Sequence, residues 1–325
     1  MLAALVLSGL ASLAVAANNK TYHWDRTAAT GHGTLRTQTS QNGTIVRVTV
    51  HNPPINLYDQ NLAQDLYSFV QSIQPQQTAS DGDDHITWPK VVILASDIDD
   101  FWVGSYDVNL LGPQNKLDNV TSTTIFTQTV ATNALIPQLP SIFVAEVNGA
   151  ATGSGNELLV TCDMTFGGPN ASFSTIETAV GDLEGNGGVQ YMVRRMGMHR
   201  AAEYLLPAQG INAQEAAEAG WINRACKSSE ALTDAVNAIA YRMSIIPAGG
   251  LNATKVAIRS NGPSASQISQ DLESVRRLIE GKEQEALGPY LKLSGNQTAN
   301  NFTLDNLKSL SALQEIVVDV QQTAN

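Results

Sequence analysis

The sequence predicts an α/β fold, and three observations carry that expectation. Val91–Ala95 and Ile142–Val147 are short, continuously apolar runs, as strands buried on both faces require. Segments with helical spacing, Leu57–Ile73 and Thr121–Leu135, alternate with them along the chain. The 325 residues are 43% hydrophobic and only 15% charged, enough to build a large core and too apolar for wholesale disorder.

Met1–Ala16 is uncharged and apolar and ends in Ala14-Val15-Ala16, the pattern of a secretory signal cleaved near residue 17. It is too short to span a bilayer, so no stable membrane span is expected in the mature chain. Seven Asn-x-Ser/Thr sequons, beginning at Asn19, Asn42, Asn119, Asn170, Asn252, Asn296 and Asn301, agree with a secreted or luminal glycoprotein. Residues 18–33 read as a loose polar arm. Leu35–Gln41 and Thr44–Val50 read as a hairpin joined by Asn42-Gly43. In its second strand Ile45, Arg47 and Thr49 alternate with Val46, Val48 and Val50. His51-Asn52-Pro53-Pro54 ends that strand. Leu62, Leu66, Phe69, Val70 and Ile73 then give the first helix its apolar stripe, and Gln74–Trp88, with Asp81, Asp83 and Asp84, reads as a solvated loop. Pro137 and Pro140 stop the helix that begins near Thr121. Asn212–Ala219 and Leu232–Met243 are further helices, and the chain after Pro247 reads as helix and loop.

Nineteen Lys and Arg against thirty Asp and Glu give a net charge of −11, which argues against nucleic acid as a partner. The two cysteines, Cys162 and Cys226, are too few for a disulfide-stapled fold; Cys162 reads as a core thiol, and Cys226 as an exposed thiol or its partner. The five histidines never fall at ligand spacing, so no metal site is expected. Gly153-Ser154-Gly155 is neither a nucleophile elbow nor a dinucleotide fingerprint, because the flanking glycines are missing. Met192, Met196 and Met198 read as packing, and Arg194, Arg195 and Arg200 as a solvated helix face.

The densest chemistry lies between Val147 and Gln190. A strand feeds the small-residue turn Asn148–Gly155, which should end at a helix N-terminus with free N–H groups. Carbonyl chemistry needs such donors, because charge develops on an oxygen that fixed dipoles must hold. Glu157 falls in the first turn of that helix, and Glu177 follows Phe173-Ser174-Thr175-Ile176.

Val144–Gly149, Gly153-Ser154-Gly155-Asn156-Glu157, Cys162-Asp163, Phe173–Gln190 and Ala208–Asn223 occur in that order. They are preceded by Asn52-Pro53-Pro54-Ile55-Asn56, Val91-Val92-Ile93-Leu94 and Phe101-Trp102-Val103-Gly104-Ser105. In this set the chain resembles the crotonase (enoyl-CoA hydratase/isomerase) superfamily. The resemblance implies a spiral of repeated ββα units with C-terminal helices: a signal peptide over 1–17, a spiral core over 18–240 and a helical region over 241–325. It places the catalytic carboxylates at Glu157 and Glu177 and the oxyanion donors at the amides of Ser105 and Ser154. Substrate-contacting backbone falls at Val103, Gly104, Gly153 and Gly185. Glu157 would help activate water and Glu177 would protonate the α-carbon of an α,β-unsaturated acyl thioester. No cofactor is implied beyond coenzyme A as part of the substrate, and a homotrimer or homohexamer is the implied assembly.

The chain departs from that family in places. Asp97, Asp99 and Asp100 surround a position where the family often has a basic residue near the CoA phosphates, with no compensating Arg or Lys evident nearby. Trp102 and Ser105 replace small residues, Tyr106 an Asp, Ser154 a Gly and Glu184 a Pro. The acidic rim and the apolar leader also admit a secreted or luminal enzyme acting on a non-CoA carbonyl compound. A catalytically inert binding protein on the same scaffold is the remaining alternative.

Overall fold

The computed structural model describes residues 23–25, 27–75, 86–111, 117, 119–281 and 287–300. The expected signal segment, Asn19, Asn301, most of the acidic insert and the helical spacing after Leu304 lie outside these residues. The chain opens with β1 (Ala28–Ala29), β2 (Leu35–Ser40) and β3 (Ile45–Val50), followed by α1 (Gln60–Ser72). Next come β4 (Val91–Ser96), β5 (Phe101–Val103), α2 (Asn119–Leu135), β6 (Ile142–Val147) and β7 (Ala150–Thr152). α3 (Ser154–Thr161), β8 (Met164–Gly167), β9 (Ser172–Ser174), α4 (Gly188–Met196) and α5 (Met198–Leu205) complete the middle. β10 (Ile211–Asn212), α6 (Ala213–Ala219), β11 (Arg224–Ala225), α7 (Ser229–Ser244), α8 (Ala248–Arg259), α9 (Ala265–Ile279) and α10 (Leu287–Leu293) follow.

Two sheets form among the described residues. The larger has the order β1-β2-β3-β4-β6-β8-β11 and the smaller β10-β9-β7-β5. From β3 through β11 the large sheet is parallel, and β5, β7 and β9 pair in parallel in the small one. Successive ββα passes therefore place one strand in each sheet, which produces the expected spiral.

The pleat explains the apolar runs. Val46, Val48, Val50, Val92, Leu94, Phe143, Ala145 and Val147 point into the main core, with Leu62, Leu66 and Phe69 of α1. Ile45, Val91, Ile93, Ile142 and Val144 point to the opposite face, where Leu232, Val236, Ala240 and Met243 of α7 cover them. α7 runs through residue 240, so the core and the C-terminal helices join without a break there. The β2–β3 turn is a four-residue loop, Gln41–Thr44, with positive φ at Gln41, Asn42 and Gly43; it is longer than the two-residue turn that Asn-Gly favours.

Two carboxylates, Asp65 buried and Asp163 partly buried, tie the periphery to this core. Asp65 of α1 accepts from Thr30 Oγ1 (2.6 Å), Thr34 Oγ1 (2.7 Å) and the amides of His32 and Thr34 (both 3.1 Å). Asp163, after α3, pairs with Lys255 (2.9 Å) and Arg259 (2.8 Å) of α8 and accepts from the Phe143 amide (2.8 Å). Lys255 also donates to the carbonyls of Ile136 (3.0 Å) and Ser141 (2.7 Å). The Cys162-Asp163 pair of the sequence is thus an anchor for a C-terminal helix. Cys162 is buried, and it and Cys226 are free thiols.

Two expectations change. Arg195 does not lie on a solvated face: it donates to the carbonyls of Val160 (2.9 Å), Cys162 (3.1 Å) and Trp221 (3.0 Å), because the end of α3 and the turn before β11 leave those acceptors without helical partners. Met192 is core, whereas Met198, at the start of α5, is 72% exposed. A cavity of about 750 Å³ beside α8 borders Arg195, Lys255 and Arg259, but these cations are committed to the carbonyls and to Asp163.

Candidate active site

The site forms where β5 of the small sheet meets the N-terminus of α3. Asn56, fully buried, donates its side-chain amide to the carbonyls of Phe101 (3.2 Å) and Trp102 (2.9 Å), holding β5 in place. Gly104 donates to Asn56 O at 2.9 Å, and Gly155 donates to Gly104 O at 3.1 Å. A Cβ on Gly155 would overlap Val103 O, so only glycine permits this approach. Gly153, at φ 53°, turns the chain from β7 into α3. The position of a Cβ on Gly153 is 3.1 Å from Ser105 Oγ and 2.6 Å from Glu177 Oε1, which shows how tightly three segments converge.

Ser105 and Ser154 border one cavity, and among the described residues no backbone carbonyl takes their amide N–H groups. Such donors, fixed before substrate arrives, stabilise an oxyanion without reorganisation. Glu157, in the first turn of α3, is 7% exposed and accepts from Ser154 Oγ at 3.1 Å. Glu177 starts the turn Glu177–Val180 after β9 and lines the same cavity. All four expected catalytic positions are therefore brought together. Of the four expected substrate-contacting positions, Gly185 lines the cavity, while Val103, Gly104 and Gly153 lie in the segments that lead to its lining residues Ser105 and Ser154.

Burial pushes the Glu157 carboxyl up to about 8, and repulsion from Glu177 adds to it; the Ser154 hydrogen bond only partly opposes this. Burial likewise raises Asp182 to about 7, again with Glu177 contributing. Glu184, 1% exposed, is raised well above the ordinary carboxyl range by burial and by its neighbours Glu177 and Glu157. Among the described residues no Lys, Arg or His lines the cavity to relieve this clustering.

The cavity encloses about 80 Å³, room for a few waters. Its roof is C-terminal: Leu272, Val275 and Ile279 of α9 and Leu287 and Tyr290 of α10. Gln297 fastens this roof, accepting from the Val108 amide (2.8 Å) and donating to Tyr106 O (2.7 Å). Burial, with Glu177 nearby, pushes the Tyr290 hydroxyl up to about 12, although it hydrogen-bonds with Ser105 and Gln297.

Sequence reasoning missed Asp182, Glu184 and Tyr290 as site residues. The first two stand in the stretch Gly181–Gly188 already singled out, and a carboxylate where the family has Pro was a usable signal. Tyr290 is delivered by the C-terminal fold, and no local pattern marks it. The acidic rim is partly compensated, contrary to expectation: Asp97 pairs with Arg36 and with His51 (2.9 Å), residues that β2 and the end of β3 bring beside it.

Comparison with known proteins agrees with this geometry. The enoyl-CoA hydratase/isomerase family model matches residues 40–286. A mitochondrial enoyl-CoA hydratase of Pongo abelii is 30% identical over 140 residues, 42% of this chain and 48% of the relative. A 2,3-dehydroadipyl-CoA hydratase of Escherichia coli (strain K12) is 35% identical over 124 residues, 38% of this chain and 48% of the relative. The chain thus spans about half the length of the curated relatives it matches. A crystal structure from Streptomyces avermitilis, of a protein assigned as an enoyl-CoA hydratase, aligns at 28% identity and TM-score 0.76, over 88% of this chain and 98% of that one. With both glutamates, both amide donors and the spiral in place, the chain belongs to the enoyl-CoA hydratase/isomerase family.

Proposed function

We propose that the protein is a hydro-lyase or isomerase acting on an α,β-unsaturated acyl thioester through an enolate. One observation carries this reading: two carboxyl groups, Glu157 and Glu177, border the same small cavity as two uncommitted amides, those of Ser105 and Ser154. The thioester carbonyl accepts hydrogen bonds from the two amides, which polarises the double bond toward attack at the β-carbon. A water held between the glutamates gives a proton to the ionised carboxylate as its oxygen bonds to that carbon. The electron pair moves to the carbonyl oxygen, and the neutral carboxyl then protonates the α-carbon. Burial favours the neutral form of Glu157, which lets it serve as the acid in one direction of the reaction. Dehydration runs the same steps backward, and a proton shuttle without water gives isomerisation.

The lack of a cation among the described lining residues, together with exposed Asp99 and Asp100, favours a second reading in which the carrier is not coenzyme A. Assaying crotonyl-CoA beside crotonyl-pantetheine separates the two: the first reading expects the higher kcat/KM with CoA, the second with pantetheine. Turnover of neither, by folded protein, would leave the inert scaffold. Secretory localisation is proposed from the apolar leader; Asn42, Asn170, Asn252 and Asn296 are exposed, as glycan acceptors must be. A trimeric or hexameric assembly is proposed from the family, and Ile245, Val256 and Ile258, at 60–67% exposure around α8, are apolar surface that a subunit contact would cover.

A further inference from the structure

The loop that carries Ser105 is bracketed from two sides, and one of them is C-terminal. On the first side lies Asn56–Tyr58. Gly104 donates to Asn56 O (2.9 Å), Tyr58 to Ser105 O (3.0 Å) and Asp107 to Tyr58 O (3.2 Å), forming a short parallel bridge. A trans peptide points its C=O and N–H in opposite directions. With the Asp107 amide turned toward Tyr58, the Tyr106 carbonyl is turned away from it, and there it meets Gln297. The Gln297 Nε2 donates to Tyr106 O at 2.7 Å, and its Oε1 accepts from the Val108 amide at 2.8 Å. Those are the two bonds that one residue of a neighbouring parallel strand would make to either side of Asp107. Gln297, 3% exposed, therefore stands in for a strand. The turn that delivers it is strained: Gly295, Asn296 and Gln297 all have positive φ, at 57°, 61° and 58°. Backbone of this kind persists only where its surroundings fix it, and it gathers at functional sites. Here the Gln297 amide donates to Ser294 Oγ (3.1 Å), Asn296 to Leu291 O (2.7 Å) and Ser294 to Tyr290 O (2.9 Å). These bonds join the turn to α10 and to Tyr290 in the cavity roof.

We propose that Gln297 is a positioning residue: acting as a strand neighbour to the Ser105–Val108 loop, it holds the Ser105 amide in place as an oxyanion donor, so that this donor is set only while the C-terminal segment is docked over the cavity. This rests on the reading of Ser105 as an oxyanion donor in the chemistry proposed above. Gln297 acts through the loop and not on the reacting atoms. Ser154 has no such dependence, because its amide opens α3, a helix buried along its whole length. The two donors are thus held by different means, one by a core helix and one by a clip. The side-chain type suits the clip. A primary amide carries a donor and an acceptor in one planar group, whereas Lys and Arg offer donors only and an ionised carboxylate acceptors only.

The test compares wild type with Gln297→Leu and Gln297→Glu. Leucine keeps the bulk and removes both bonds. The glutamate variant, when ionised, faces the Tyr106 carbonyl with an acceptor; when protonated it again has one donor and one acceptor. Amide hydrogen exchange of the substrate-free protein reads the clamp. In Gln297→Leu residues 104–108 should exchange about tenfold faster or more, while Ser154–Thr161 keep the wild-type rate. A variant that merely unfolds would speed both. The glutamate variant then decides, its excess exchange over wild type in 104–108 shrinking as pH falls. Binding of butyryl-pantetheine labelled with carbon-13 at its carbonyl reads the donor itself: the bound resonance should move downfield in wild type and less in Gln297→Leu. With crotonyl thioesters kcat should fall by about 10–100-fold in that variant, with KM little changed. Unchanged exchange in 104–108, or a bound carbonyl equally polarised in Gln297→Leu, overturns the proposal. Turnover of no enoyl thioester by folded wild type would defeat the proposed function, while the exchange rates still decide whether Gln297 holds the Ser105 loop.

Discussion

Gly155 donates its amide to the carbonyl of Gly104 at 3.1 Å, and this bond joins the end of β5 to the start of α3. The proposed oxyanion donors Ser105 and Ser154 flank it, one residue beyond and one residue before. The bond exists only because position 155 has no side chain. Gly155→Ala should separate the two segments and abolish activity, at a stability cost of about 2–4 kcal/mol from overpacking and backbone shift. Urea denaturation and a single-point assay would check this; full activity in Gly155→Ala would show that the junction is not needed.

Glu157→Gln should be inactive yet more stable at neutral pH. Wild-type Glu157 keeps its proton when folded and loses it when unfolded, which costs stability above the ordinary carboxyl value. Glutamine removes that cost, a gain of about 2 kcal/mol at pH 7. A melting temperature below wild type at pH 7 would contradict the account.

The same sign governs the wild-type protein. The folded values of Glu157, Asp182 and Glu184 all lie above their unfolded ones, so the native state binds more protons and stability falls as pH rises from about 4.5 toward 8. Asp65 behaves oppositely. Burial works against its charge, but four donors outweigh it and hold the carboxyl below the usual range, so its contribution is lost as pH falls through its folded value. A stability maximum on the acidic side of neutrality is expected in chemical denaturation from pH 4 to 8. In Asp65→Asn the decline below pH 4 should be shallower.

Asp163→Asn should be among the most destabilising single changes outside the site. It leaves Lys255, 3% exposed at its side chain, with no carboxylate partner, and weakens the hold on Arg259. Breaking one side of a buried ion pair costs about 3–5 kcal/mol. Limited proteolysis should then cut first in α8, which these bonds attach to the core.

Much of this molecule was legible in its sequence because the legible parts are local. Strands buried on both faces, such as Val91–Ser96, must be continuously apolar, and a helix N-terminus after a small-residue turn must have free amides. Glu157 was readable from its place at that helix N-terminus, and Glu177 from the resemblance to the family. What was not legible depends on pairing across the fold. Arg195 looked like surface until three carbonyl ends met it, and Asp97 looked like bare charge until Arg36 and His51 arrived from other strands. Tyr290 reaches Ser105 from a C-terminal segment that Gln297 pins to Tyr106 and Val108.

The central claim is that the paired glutamates and the two amides perform enolate chemistry on an enoyl thioester. Its most direct test follows the loss of enoyl absorbance when purified protein meets crotonyl-CoA and a longer enoyl-CoA, with Glu157→Gln and Glu177→Gln alongside. The account predicts turnover by wild type and a loss of 10³-fold or more, roughly, in each variant. Undiminished turnover in either variant, or none by folded wild type on any enoyl thioester, would contradict it.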